Sequence, residues 1–128
     1  MSGGTIIIYG NAGTEVGSYM RKGFIKVGGD VKQFAGIHMR SGVLLVQGSA
    51  DERAGAYMTG GKIILCGRTP AILPTFTIDA IKGKANANGE KIKGPFYLFL
   101  GDLAEHGNGK LYVSQNENDH LKGYEELL

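Results

Sequence analysis

Few residues in this chain are spaced for chemistry. Cys66 is the single cysteine, so no internal disulfide can form, which suits a reducing compartment. A reactive thiol needs a cationic neighbour or a helix N-terminus to lower its pKa. Only Arg68 is near in sequence, so Cys66 reads as an inert thiol. His38, His106 and His120 stand at no metal-ligand spacing, and no cysteine cluster accompanies them. Gly10–Gly17 and Gly55…Gly60-Gly61-Lys62 have the glycine density of phosphate loops. Neither runs into a helical pattern, so the helix N-terminus that would hold a phosphate is missing. Asp102 and Glu105 lie between Gly101 and Gly107 and read as turn residues. The expectation is a chain with no catalytic, cofactor-binding or metal site of its own.

One arrangement stands apart because it repeats. His38 lies 19 residues from both Tyr19 and Tyr57, and Arg21 and Arg40 follow two positions after Tyr19 and His38. Stacked, these residues form an outer-face stripe. It is either a contact surface for a planar anionic ligand or a partner, or an ordinary ladder of stacked side chains.

The elements that would stack them come from the same period. Gly4, Gly23, Gly42 and Gly61 are 19 apart; so are Gly10, Gly29, Gly48 and Gly67; so are Gly17, Gly36 and Gly55; so are Met20, Met39 and Met58. Each unit ends in a short run whose first and third slots are always aliphatic (Ile6/Ile25/Leu44/Ile63 and Ile8/Val27/Val46/Leu65). Its second and fourth slots vary (Ile7/Lys26/Leu45/Ile64 and Tyr9/Gly28/Gln47/Cys66) and face outward. That is the alternation of a strand. The small slots Ala12/Val31/Ala50 and Val16/Ala35/Ala54 predict a second short strand in each unit. A unit this short cannot close a core alone and must stack on its neighbours. The expected fold is therefore all-β, a short right-handed parallel β-helix, with glycine corners and methionine filling the interior.

The tail reads differently. Residues 1–67 are expected to form the coils and residues 68–128 a C-terminal cap, together one domain. Arg68–Pro74 is an extended exit. Strand-like pieces follow at Phe76–Ile81 and Pro95–Leu100, with the turn signal Asn88-Gly89 between them. Lys82–Lys93 reads as a polar, mobile loop. Leu111-Tyr112-Val113 is a further short strand, and Asp119–Leu128 a short helix with Asp119 as N-cap. At the other end only four residues precede Thr5, so no capping element is expected there. A bare coil end shows unpaired backbone groups that natural proteins cover. A partner is expected on it, either a different polypeptide or a second copy.

Bulk properties exclude more than they identify. The chain has 128 residues, a net charge of +2 and 22 glycines, well above the usual ~7% share. Residues 1–73 hold eight Lys/Arg against four Asp/Glu, and residues 74–128 six against eight. Neither half has a basic block, so no nucleic-acid partner is expected. No apolar run approaches the ~20 residues of a membrane span, and the start lacks a signal-peptide core. A cytoplasmic location is expected.

The pattern Gly10-Asn11-Ala12-Gly13…Val16-Gly17…Met20…Gly23, repeated along the chain, resembles the GXGXG β-helix superfamily. That superfamily includes the C-terminal domain of the glutamate synthase large subunit and the β-helical subunit of formylmethanofuran dehydrogenase. The tail, with Ile72-Leu73-Pro74-Thr75-Phe76 and Gly94–Glu105 leading to Gly107–Val113, is more similar to the C-terminal part of the latter. The resemblance implies a non-catalytic structural or docking subunit of an oxidoreductase that interconverts CO2 and formylmethanofuran, in methanogenesis or other one-carbon metabolism. It places the molybdenum or tungsten pterin and the iron–sulfur clusters on partner subunits. Two other readings stay open: a stand-alone glutamate-synthase-type domain, and a homo-oligomeric β-helix scaffold put to another use. An enzyme working on the outer face predicts a deep cleft where His38, Tyr57 and an arginine converge.

Overall fold

The computed structural model describes residues 2–128. Four short parallel strands, β1 (Ser2–Ile8), β2 (Lys22–Val27), β3 (Val43–Val46) and β4 (Lys62–Leu65), lie side by side. Their register is that of the repeat: Ile6 pairs Ile25, Ile25 pairs Leu44, and Leu44 pairs Ile63. The chain is a parallel β-helix. Ile25, Leu44 and Ile63 point inward with Val27, Val46 and Leu65, and Met20, Met39 and Met58 are fully buried in that same interior.

The second strand expected in each coil is replaced by turns. Among the described residues a single bridge, Val31 to Ala50, remains of it. The small slots do face inward as expected, since Val31, Ala35, Ala50 and Ala54 are buried. The backbone there enters the left-handed region three times in five residues, as at Phe34, Gly36 and His38. Such a chain cannot also run flat as a strand. Alternate corner N–H groups instead bond to a neighbouring coil: Phe34 N to Glu52 O, Gly36 N to Val16 O, and His38 N to Ala56 O.

The tail differs most from expectation. The polar stretch 82–93 is not a loop. β5 (Thr77–Ala87) and β6 (Glu90–Gly101) form a long antiparallel hairpin closed by Asn88-Gly89. β7 (Gly109–Ser114) then returns parallel to β4, pairing Ile63 with Leu111 and Leu65 with Val113. The sheet order is β1-β2-β3-β4-β7-β6-β5. Thus β7 is one more rung of the helix, delivered after an insertion.

The far half of the hairpin lies across the outer face of the sheet. Ala85 and Ala87 pack with Phe24, Leu45 and Ile64 in a second buried cluster. At its tip Lys62 Nζ donates to Asn86 O (2.8 Å), and Lys26 pairs with Glu90 (3.5 Å). The outward slots Leu45 and Ile64 are therefore covered rather than solvated. The period-2 alternation of Ala85, Ala87 and Ile92 with exposed Lys82, Lys84, Lys91 and Lys93 becomes a strand because a face waits to bury it.

The chain ends in a 3₁₀ helix, Asp119–Leu127. Asp119 is its first residue, not its N-cap. Asn118 precedes it and caps nothing with its side chain, which is committed elsewhere. Its Oδ1 accepts from Thr69 N, and its Nδ2 donates to Gly67 O and Ser114 O. Fully buried, Asn118 ties the solenoid exit to the tail. Among the described residues no helix is long and apolar enough to cross a membrane.

Candidate functional site

The tyrosine–histidine stripe forms. Tyr19 and His38 stack at 4.6 Å between centroids, 11° from parallel, and His38 and Tyr57 at 5.0 Å and 18°. All three residues have positive φ, from 57° to 59°. Their backbone N–H groups follow one rule. Tyr19 N donates to Ile37 O and His38 N to Ala56 O, each in the next coil. Beyond Tyr57 the Asp102 carboxylate takes the place of that carbonyl, Oδ2 accepting from Tyr57 N at 2.9 Å. Its Oδ1 accepts from Ala104 N at 3.0 Å and caps the 3₁₀ turn Leu103–Glu105. Asp102 is thus a buried terminator of a backbone ladder, a role that its neighbours in sequence do not signal.

Arg21 and Arg40 are exposed. The recess beside Tyr57, about 230 Å³, is lined by Phe34, Arg53, Leu73 and Asp102 among others, and His38 is not part of it. Its arginine is Arg53, lying 5.6 Å over the Phe34 ring. Of the three groups that an outer-face enzyme would bring together, this recess holds Tyr57 and an arginine but not His38.

The remaining chemical candidates are dispersed. His106 is exposed at the end of the 3₁₀ turn, and the His120 ring N–H donates to Thr69 O at 2.7 Å, beside Asn118. Among the described residues no three His, Cys, Asp or Glu are placed to hold a metal ion. Cys66 is half-buried against the second cluster, and burial pushes its thiol up, away from reactivity. Lys62, under the hairpin, has its pKa lowered, by desolvation first and by Lys110 second. Tyr97 is raised by burial and by its hydrogen bond to Glu125 (2.7 Å). Both are consequences of packing.

The glycines Gly10–Gly17 and Gly55–Gly61 are coil corners, with no helix after them. Instead of binding an anion, the polar corner residues bind the next coil. Asn11 Oδ1 accepts from Asp30 N (2.7 Å), Asp30 Oδ1 from Ser49 N (2.7 Å), and Ser49 Oγ from Arg68 N (3.2 Å). This column lies outside the residues singled out from sequence, although Asn/Asp/Ser/Arg recur there at the 19-residue spacing.

One exposed apolar feature that packing does not explain is the β1 end. Ile6 occupies an interior slot yet is 44% exposed, where Ile25, Leu44 and Ile63 are buried. Ile7 is 49% and Tyr9 89% exposed. The hairpin tip stops at β2, so the outer face over β1 stays open. It leaves a recess of about 460 Å³ lined by Ile7, Ile8, Tyr9, Lys26, Gly28 and Gln47. In the sheet β1 has a neighbour on one side only.

No protein-family model matches the chain, and no curated protein matches it.

Proposed function

We propose that this chain is a non-catalytic β-helical docking subunit. It is similar in role to the β-helical subunit of formylmethanofuran dehydrogenase, within a cytoplasmic complex that interconverts CO2 and formylmethanofuran in methanogenesis or one-carbon metabolism. The single observation that carries the docking role is the β1 end, where an interior aliphatic column terminates in exposed Ile6. Apolar surface of this kind beside an open strand edge marks an interaction site. The resemblance of the glycine and methionine repeat, and of the tail, to that family supplies the identity of the complex. In this reading the pterin-bound molybdenum or tungsten and the iron–sulfur clusters belong to the larger subunits. This chain contributes rigidity and surface.

The test is affinity purification of the tagged full chain from its source cells. Co-elution of larger polypeptides carrying molybdenum or tungsten and iron–sulfur absorbance is expected. Elution without any such polypeptide would sink the reading. Co-elution with amidotransferase and flavin polypeptides would move it to the glutamate-synthase type.

A further inference from the structure

The β1 end carries more than exposure. Gly29 and Gly48 occupy the same repeat slot as Gly10, and each must be glycine because of the coil before it. A Cβ on Gly29 would fall 2.9 Å from Gly10 O, and one on Gly48 2.5 Å from Gly29 O. At Gly10 a Cβ would meet nothing within 4 Å, and its φ is not in the left-handed region. Nothing among the described residues requires glycine there. The first coil is built as though a backbone lay against it.

The two edges of the sheet are also built differently. The β5 edge carries Asp79, Lys82 and Lys84 and two register irregularities, devices that block edge pairing. From Thr5 to Ala12 the first coil has no charge at all. Most of β1 with the two residues after it reads Gly4-Thr5-Ile6-Ile7-Ile8-Tyr9-Gly10, nearly the same in both directions. Antiparallel pairing of this strand with itself, centred on Ile7, sets Ile6 against Ile8, Thr5 against Tyr9 and Gly4 against Gly10. Because side chains alternate with period 2, this register keeps inward residues opposite inward ones. It also brings glycine to glycine where the backbones approach. A second copy cannot add head-to-tail at the opposite end of the coil stack, because β7, β6 and β5 cover the far side of β4.

Resting on the reading of β1 as the docking end, we propose that its partner is a second copy of this chain. The two are joined head-to-head about a two-fold axis through Ile7, so that the two sheets become one. Such a pairing is isologous and closes at two copies.

Sedimentation velocity of the full chain over a range of concentrations tests this. A dimer is expected. Ile7→Lys sets two like charges opposite each other at the axis, while a lone chain leaves that half-exposed position free to accept lysine. Gly10→Ala meets nothing in a lone chain and crowds the pair. Each is expected to weaken dimerisation about tenfold or more without lowering the thermal midpoint of the dissociated chain. In a Cys66→Ser background, Ile7→Cys is expected to give a disulfide-linked dimer on oxidation. A wild-type chain that sediments as a monomer at every concentration overturns the inference. So does an open polymer, or a dimer that neither Ile7→Lys nor Gly10→Ala weakens. A monomer that still co-purifies with redox polypeptides would leave the docking role standing, and a dimer that co-purifies with none would remove the redox complex alone.

Discussion

Met39 packs directly on Gly61 of the next coil: a Cβ at Gly61 would fall 3.0 Å from the Met39 Cε. The same relation joins Met20 to Gly42, at 2.9 Å, and Met58 to Gly109. The first two pairs are 22 residues apart and the third 51, so Gly109 of β7 stands where the glycine of another coil would. Gly61→Ala crowds a buried methionine and forces alanine to φ +88°. It is expected to destabilise by about 2–4 kcal/mol. Met39→Ala leaves a cavity and is expected to lose about 2–5 kcal/mol. Gly13→Ala, with nothing within 4 Å, should shift stability by less than about 0.5 kcal/mol. Urea denaturation of the three variants checks the contrast.

Asn118 predicts a sharper loss than its size suggests. Asn118→Ala orphans Thr69 N, Gly67 O and Ser114 O in a buried site. Each orphaned group costs about 1–3 kcal/mol. Asn118→Asp keeps the acceptor for Thr69 N but turns an oxygen toward two carbonyls. Its carboxyl is expected to prefer the protonated form in the folded chain, so this variant should be more stable at acid pH than at neutral pH. Thermal midpoints at about pH 4.5 and about pH 7.5 decide it, and an Asn118→Asp variant as stable as wild type at both would contradict the role assigned.

Cover by the hairpin is a matter of small side chains. Ala87→Arg cannot fit between β5 and the sheet, where Ala87 is fully buried beside Phe24, Leu45 and Ile64. It should detach the hairpin tip and raise amide exchange over 84–93 and in β3 while leaving β7 protected. Lys26→Ala, which removes the half-exposed pair with Glu90, should cost no more than about 1 kcal/mol. If Lys26→Ala frees the tip as fully as Ala87→Arg does, burial is not what holds it.

Stability should fall on the alkaline side. Burial raises Cys66 above its ordinary 9.0, and Tyr97 and Tyr112 above their ordinary 10.0. The unfolded chain then releases these protons first, and stability is lost as pH climbs past those values. Lys62 works the other way. Its lowered pKa makes its contribution grow as pH rises toward 10.5. Three groups against one predict a net decrease in urea midpoint between about pH 8 and about pH 10.5. Cys66→Ala should flatten the part nearest pH 9. A midpoint that rises across that range would mean that Lys62 dominates.

The stripe predicts a balance. His38→Phe keeps both stacks and should leave stability near wild type. His38→Ala loses two ring contacts, each worth about 0.5–1.5 kcal/mol, and keeps the left-handed backbone. Thermal unfolding separates the two. Equal midpoints would show that the ladder is incidental to the coil.

Much of this architecture is legible because a repeat states its own geometry. Met20, Met39 and Met58 share a slot, and stacking at one register sends all three inward once one of them is. The alternation of Ile6, Ile25, Leu44 and Ile63 with variable neighbours is local, so it predicts the strands directly. The second strand per coil does not form because small apolar slots mark only which side faces in. They do not say that the backbone between them turns left-handed at Phe34 and His38. In the candidate site the Tyr19–His38–Tyr57 stack follows from spacing alone, while the place of Arg53 over the Phe34 ring does not.

What the amino-acid order determined by itself is the coil: period, inward columns, corner glycines and the uncharged first strand, each set by interactions between equivalent positions 19 apart. Only the tertiary structure decided the rest. It makes β7 a further rung, lays β5–β6 over Leu45 and Ile64, and turns Asp102 into the end of the Tyr57 backbone ladder. Those contacts join segments without a common period. Their partners are chosen by which surfaces the finished coils leave unburied, and that selection is made in space.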